Sequence, residues 1–372
     1  MLDEHFVYVS DSTRIEHFKV AIREVLNHND KVADIGCGSG ILGLLCLEAG
    51  AKRVYAIDSS RIIEVAKQSY KRAGLDERAV FIKGDSQKIS LPEQVDVIIC
   101  DHLGYFGFDY GIDHFLRDAR KRFLRPGGRV IPARIKLQLA IIESGKCYSL
   151  ATRWNGPDVR EEYRWLNDYE LNSMRAVSLS REELVSDPVM LGFIDLHADN
   201  PDYFSWSVDI RIKRDGFMHG LGGWFESELC EGVTISNSPL DDQSIKRSQI
   251  FLPFETPVPV KEDEAVQATV MARPAEDLIG WIAELPESGR RFSHSTWKGS
   301  IITDKDIKQT APTRIPRVSY DGRARLTVLG YCDGRRTAQE IEQAVLRNHP
   351  DLFPTPEEIS RFVNHVLFRD AD

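Results

Sequence analysis

Val32-Ala33-Asp34-Ile35-Gly36-Cys37-Gly38-Ser39-Gly40, followed by the apolar run Val54-Tyr55-Ala56-Ile57 that ends on Asp58, decides the reading of this chain. It spells strand, tight glycine turn, helix, strand and acid. Glycines let a backbone turn sharply and come close to a ligand because they lack a side chain. A carboxylate at the tip of the next strand can accept two hydrogen bonds from a ribose diol. The combination implies a nucleoside-cofactor site.

Outward from this centre the pattern stays regular. Ser12 to Asn27 carries an apolar stripe of Ile15, Phe18, Ala21, Ile22 and Val25, which predicts a helix. Strands are expected at Lys31–Ile35, Arg53–Ile57, Val80–Lys83, Val95–Cys100 and Arg129–Ile131. Helices are expected over Ile41–Ala49, Arg61–Ala73 and Phe115–Phe123, with Gly50, Gly74 and Arg125-Pro126-Gly127-Gly128 as their turns. Strands alternating with helices imply a Rossmann-like α/β domain over 1–132, with a parallel sheet covered on both faces.

After Pro132 the periodicity changes. Short alternating runs at 135–142, 191–196, 205–212, 220–225 and 265–271 predict an antiparallel β-barrel or sandwich over 133–300. A helix-prone stretch from Cys147 to Arg175 interrupts it. A third unit, 301–372, reads as a small helical domain. Thr337 with Glu340, and Thr355 with Glu358, form capping boxes, the second with Pro356 at the first helical position.

Composition narrows the function classes. The 372 residues are 42% hydrophobic and 28% charged, an ordinary globular mix with room for several cores. No apolar run is long enough to span a bilayer, and Met1-Leu2-Asp3-Glu4-His5 lacks a signal-peptide core, so the expectation is a cytoplasmic protein without membrane association. The six cysteines form no C-x-x-C pair, which argues for free thiols and against a metal site. A net charge of −9 disfavours nucleic acid as a partner and is compatible with a basic peptide.

A glycine turn with a distal acid serves both nicotinamide dehydrogenases and S-adenosylmethionine (SAM) methyltransferases. Two details favour SAM. Asp34 precedes the first glycine, where it suits a cationic amino-acid moiety and would repel a pyrophosphate. The turn is G-x-G-x-G, not the G-x-G-x-x-G that seats phosphates on a helix N-terminus. Candidate cofactor-binding residues are therefore Asp34, Gly36, Gly38, Gly40, Asp58 and Ser59, with Asp85 and Ser86 placed to hydrogen-bond an adenine amino group.

The segments Asp34 to Leu42, Ala49 to Asp58, Val95 to Tyr105 and Leu124 to Pro132 resemble the cofactor motifs of protein arginine methyltransferases. Arg214-Asp215-Gly216 to Trp224-Phe225 and Ser236-Asn237-Ser238-Pro239 are similar to that family's β-barrel. The resemblance covers about residues 10 to 285. It implies a class I SAM domain, a β-barrel, and a helical dimerisation arm at about 147–178 that makes a homodimer. It also implies that a loop after the fourth strand presents two glutamates to the substrate guanidinium. Here Asp101 and Tyr110 fall on those positions, with Asp109 one residue away, and Ile245-Lys246-Arg247 stands where the family has Thr-His-Trp.

These departures shift the expected acceptor away from a free arginine towards a peptide carboxylate, an amide or amine nitrogen, or a modified side chain. Candidate catalytic residues are Asp101, His102, Tyr105 and Asp109. His102 reads either as a base for a protonated nucleophile or as an aromatic-like wall residue. Asp113, His114 and Asp118 read as an exposed helix face, and His219 as structural. The C-terminal unit, with Asp333-Gly334-x-x-Thr337-x-x-Glu340-Ile341, looks like the PqqD-like winged-helix fold, which implies binding of a leader peptide in a ribosomally made precursor; a plain helical bundle is the alternative. Genuine arginine methylation and a SAM-binding pseudoenzyme remain rival readings.

Overall fold

The computed structural model describes residues 2–301, 303, 308 and 312–371. The chain divides into two compact units, 1–301 and 302–372.

The first unit opens with α1 (Leu2–Ser10) and α2 (Ser12–Val25). Asp11 caps α2 by accepting the Arg14 amide at 3.1 Å. Five strands follow: β1 (Lys31–Ile35), β2 (Arg53–Asp58), β3 (Ala79–Lys83), β4 (Val95–Cys100) and β5 (Leu124–Ile131). They form a parallel sheet in the order β3-β2-β1-β4-β5. The connecting helices are α3 (Ile41–Glu48), α4 (Ile63–Ala73) and α5 (Ile112–Arg122). Strands covered on both faces read as near-continuous apolar runs, and Val32, Ala33, Val54, Ala56, Val97 and Ile98 are accordingly all buried. The strand order reverses between β1 and β4. In open sheets of this kind ligands settle at the carboxyl ends of the strands beside such a switch, where the glycine turn, Asp58 and Asp101 all lie.

The antiparallel region contains two sheets. One is ordered β7-β12-β10-β6-β8, with β11 paired to β10; the other is ordered β15-β14-β13-β9. Its strands are β6 (Arg134–Ile142), β7 (Arg175–Val177), β8 (Val189–Asp195), β9 (Phe204–Arg211), β10 (Gly216–Cys230), β11 (Val233–Ser236), β12 (Gln249–Val260), β13 (Ala265–Arg273), β14 (Leu278–Leu285) and β15 (Arg290–Ser295). One apolar cluster runs from the parallel sheet into these strands, through Phe106, Phe108, Ile135, Leu137 and Phe225. The barrel is thereby fixed against the loop that follows β4.

Several elements differ from expectation. Helix α1 was not anticipated, and neither were β7, β11, β12, β14 and β15. The prolines 253, 257 and 259 break the alternation in β12. The Arg125–Gly128 turn lies inside β5: Leu124 pairs with Val95 and Arg129 with Val97, so the intervening residues loop out. The helix-prone stretch is broken into α6 (Gly145–Ala151), two 3-10 turns and α7 (Asn167–Glu170), and its end, Arg175, already begins a strand.

The second unit contains helices at Tyr320–Leu329, Ala338–Asn348 and Pro356–Asp370. Both capping boxes form. Val328, Ile341, Val345, Ile359, Val363 and Val366 make its core. Among its described residues there is no strand, and so no wing.

Candidate active site

Gly36, Gly38 and Gly40 have φ of +66°, +54° and +85°. An L side chain at any of them would be strained. Space matters as well: a Cβ on Gly36 would run into the His102 ring, and one on Gly38 would meet the His5 ring of α1. Asp58, at the tip of β2, ties the turn down. Its Oδ2 accepts the Gly38 amide at 2.8 Å, and its Oδ1 accepts the amide and hydroxyl of Ser60 at 2.8 and 2.7 Å. Asp34 is buried and accepts the Gly43 amide at 2.9 Å. Burial pushes its carboxyl up to about 7, against the pull of that amide and of Arg14.

Two cavities flank the turn. One, of about 330 Å³, is bounded by Ile57, Asp58, Ser59, Asp85, Ser86 and His102. The other, of about 170 Å³, is bounded by Glu4, Tyr8, Arg14, Asp34, Gly38 and Asp101. Gly36, Asp58 and His102 belong to both. These residues fit SAM. The larger space sets the Asp58 carboxylate beside a polar rim of Ser59, Asp85 and Ser86, as a nucleoside needs. The smaller one faces a carboxylate, Asp34, with a guanidinium, Arg14, matching the ammonium and carboxylate of an amino acid. Asp85 also accepts the Gln87 amide at 3.1 Å and pairs with Lys88 at 3.1 Å.

His102 lies where the cavities meet. Its ring covers Gly36, its Nδ1 is 3.6 Å from the Cys100 Sγ, and it packs edge-on to Phe115. Burial lowers its pKa, so the imidazole is neutral near pH 7. It also borders a third cavity of about 580 Å³ with Tyr110, Phe115 and Met174.

The loop that follows β4 is built differently. Asp101 leaves the end of β4, and its Oδ2 accepts Arg14 Nε at 2.6 Å. Arg247, from the segment before β12, donates Nη1 to Oδ1 at 3.3 Å and Nη2 to Oδ2 at 3.1 Å. The side chains of Arg14, Asp101 and Arg247 are 4%, 7% and 6% exposed. The two guanidiniums hold the Asp101 carboxyl below its ordinary range despite its burial. The Tyr8 ring packs under both, 5.5 Å from Arg14 and 5.4 Å from Arg247.

Asp109 closes its own loop. Its oxygens accept the Tyr105 and Phe106 amides at 2.9 and 2.6 Å. Tyr105 and Tyr110 meet edge to face. They border a groove of about 560 Å³ with Glu4, Tyr8, Lys246 and Arg247. Asp113 is buried and bonded to Arg117 and Asn200, so it does not join the exposed helix face expected for it.

The sequence reading missed Arg14, the lining residues of α1, and the role of Arg247. One signal was present for Arg14. Positions 14, 18, 21 and 22 form the buried face of α2, and an arginine that extends an apolar stripe calls for a buried partner.

Residues 32–128 match the family described as "Methyltransferase domain". The chain is 31% identical over 235 residues to the probable protein arginine N-methyltransferase 6 of Arabidopsis thaliana, which covers 60% of this chain and 54% of the relative. It thus spans about half the length of that protein. It is 28% identical over 280 residues to protein arginine N-methyltransferase 1 of Schizosaccharomyces pombe, covering 73% of this chain and 82% of the relative. Among solved structures, the Trypanosoma brucei PRMT1 enzyme-prozyme heterotetrameric complex with AdoHcy aligns with a TM-score of 0.71 at 18% identity, over 79% of this chain and 98% of that one. Arabidopsis thaliana protein arginine methyltransferase 10 aligns with a TM-score of 0.68 at 20% identity, over 80% and 98%. The glycine turn, the two strand-tip acids and these likenesses agree: the chain is a SAM-dependent methyltransferase on an arginine-methyltransferase-like fold.

Proposed function

We propose that this chain moves the methyl group of SAM to a side chain of a peptide or protein lying in the groove beside Tyr105, Tyr110 and Lys246. The observation that carries the reading is adjacency. Tyr8 and Tyr110 border both that groove and the small cavity containing Asp34 and Asp101. SAM supplies an activated methyl on a sulfonium. The protein's part is to orient the acceptor and exclude water. In this reading Asp58 holds the ribose, Asp34 and Arg14 hold the amino-acid end, Asp85 and Ser86 face the adenine, and Ser59 borders it. His102, packed over Gly36, serves as a wall. Asp101 and Asp109 shape the acceptor loop, and Tyr105 and Tyr110 line the path of the substrate.

Transfer of labelled methyl from SAM to a peptide library tests this, with products separated by their acid and base lability. No transfer to any peptide, with intact SAM binding, favours a cofactor-binding pseudoenzyme. Arginine methylation is the second reading, favoured by the relatives named above. We further propose a homodimer through the 147–178 segment, whose Tyr163 and Trp165 are 54% and 55% exposed. The second unit is read as a leader-peptide docking domain for a ribosomally made precursor, a proposal that rests on its short sequence motif. Comparing precursor affinity for the full chain and for residues 1–301 tests that role; equal affinity removes it.

A further inference from the structure

We infer that Arg247 is a built-in counter-ion that closes Asp101 to cationic acceptors and restricts the acceptor to a peptide carboxylate. This deepens the peptide-acceptor reading and rests on it. Asp101 is an acid within the crevice that borders the groove, and two guanidiniums already share its one carboxylate. A third cation would have to compete with those two guanidiniums for the same carboxylate, in a site with little water to screen it. Tyr110, on the other side of the opening, offers a neutral phenol in place of a second acid.

Arg247 is not free to swing aside. The amide of the preceding residue, Lys246, donates to Asp11 at 2.7 Å, and the carbonyl of Ser248 accepts Asn237 Nδ2 at 2.7 Å. The Tyr8 and Phe225 rings lie 5.4 and 6.0 Å from its guanidinium carbon. Its position is thus fixed from α1, from the strand β10 and through the backbone of its two neighbours.

The groove suits an anion better. Lys246, Tyr105 and Tyr110 line it as donors, with Glu4 and Asp3 confined to the α1 side. Glu4 already accepts the Tyr8 hydroxyl at 3.1 Å. The chemistry needs no base. A carboxylate oxygen supplies the electron pair for the new O–CH3 bond, the S–CH3 bond of SAM breaks with its pair left on sulfur, and the products are a methyl ester and neutral S-adenosylhomocysteine. Neither imidazole of the crevice, His5 or His102, lines this groove.

The test uses the full chain saturated with S-adenosylhomocysteine and two labelled peptides that differ only in one central residue, Glu or Arg. Anisotropy should show the Glu peptide binding at least tenfold tighter. Arg247→Met should raise affinity for the Arg peptide at least tenfold, while Arg247→Lys, which keeps the charge, should retain the original preference. A purely structural role for Arg247 would not separate those two variants. With SAM, the transferred label should leave as methanol in mild base. Equal binding of the two peptides, an unchanged ratio in Arg247→Met, or a base-stable methyl on arginine overturns the inference alone. Failure of either peptide to bind any form of the protein overturns it together with the peptide-acceptor reading.

Discussion

The two halves of the site use their acids in opposite ways. On the cofactor side, Asp34 and Asp58 bond to backbone amides and a hydroxyl. A carboxylate held by neutral donors keeps lone pairs for a ligand. On the acceptor side, Asp101 is saturated by two internal guanidiniums, and Asp109 by two amides of its own loop. The cofactor half is therefore built to bind, and the acceptor half is built to be pre-filled. On the proposed reading, the methyl donor and the methyl acceptor are selected by different physics, one by offered charge and one by withheld charge.

The sharpest way to break this contrast is Asp101→Asn. It strands two buried guanidiniums, and removing one member of a buried ion pair costs about 3–5 kcal/mol. Thermal unfolding should show the loss, and the double variant Asp101→Asn with Arg247→Met should recover part of it. If the single variant unfolds like the parent, Asp101 is not the hub described here. Next in size is Asp58→Ala, which removes a charged acceptor for two hydroxyls. S-adenosylhomocysteine affinity by calorimetry should fall by about 3 kcal/mol, roughly 100-fold.

A pH series sharpens the cofactor half. Burial raises the Asp34 carboxyl to about 7, so below that pH the group is protonated before a ligand arrives. A ligand ammonium favours the ionised form, so binding near pH 7 should release a proton. Affinity should drop by up to about tenfold per pH unit as pH falls below 7. Asp34→Asn should flatten the profile. In the absence of ligand the sign is reversed for stability. A folded-state carboxyl raised above its unfolded value loses stability as pH climbs from the unfolded value to about 7 and is level above it. The smallest expected effect is Asp85→Ala. It removes a single rim hydrogen bond, about 1 kcal/mol or roughly fivefold in affinity. A hundredfold loss there would shift weight from Asp58 to the adenine end.

What could be read from sequence divides along the same line. The glycine turn, Asp34 and Asp58 lie within 25 residues of one another and owe their placement to one strand-turn-helix-strand unit, so local pattern suffices. Asp101, in contrast, meets partners 87 and 146 residues away in sequence. Those pairings exist only because the barrel and α2 pack on the same loop, and no periodicity encodes that. Lys246 and Arg247 stood out as a departure from a familiar element, yet the sequence alone did not connect Arg247 to Asp101. The barrel strands were half legible for a related reason. β13 alternates cleanly, whereas β12 carries prolines and is identified by its neighbours β10 and β7.

Asp11 carries a consequence of its own. One carboxylate caps α2 through the Arg14 amide and also holds the Lys246 amide across to the barrel. Positions 11, 14, 101 and 247 thus form an interdependent set, in which changing one member alone leaves another without its support. Descendants of this chain can escape that arrangement only by concerted replacement, so the acceptor preference should be inherited as a block while the surrounding surface drifts.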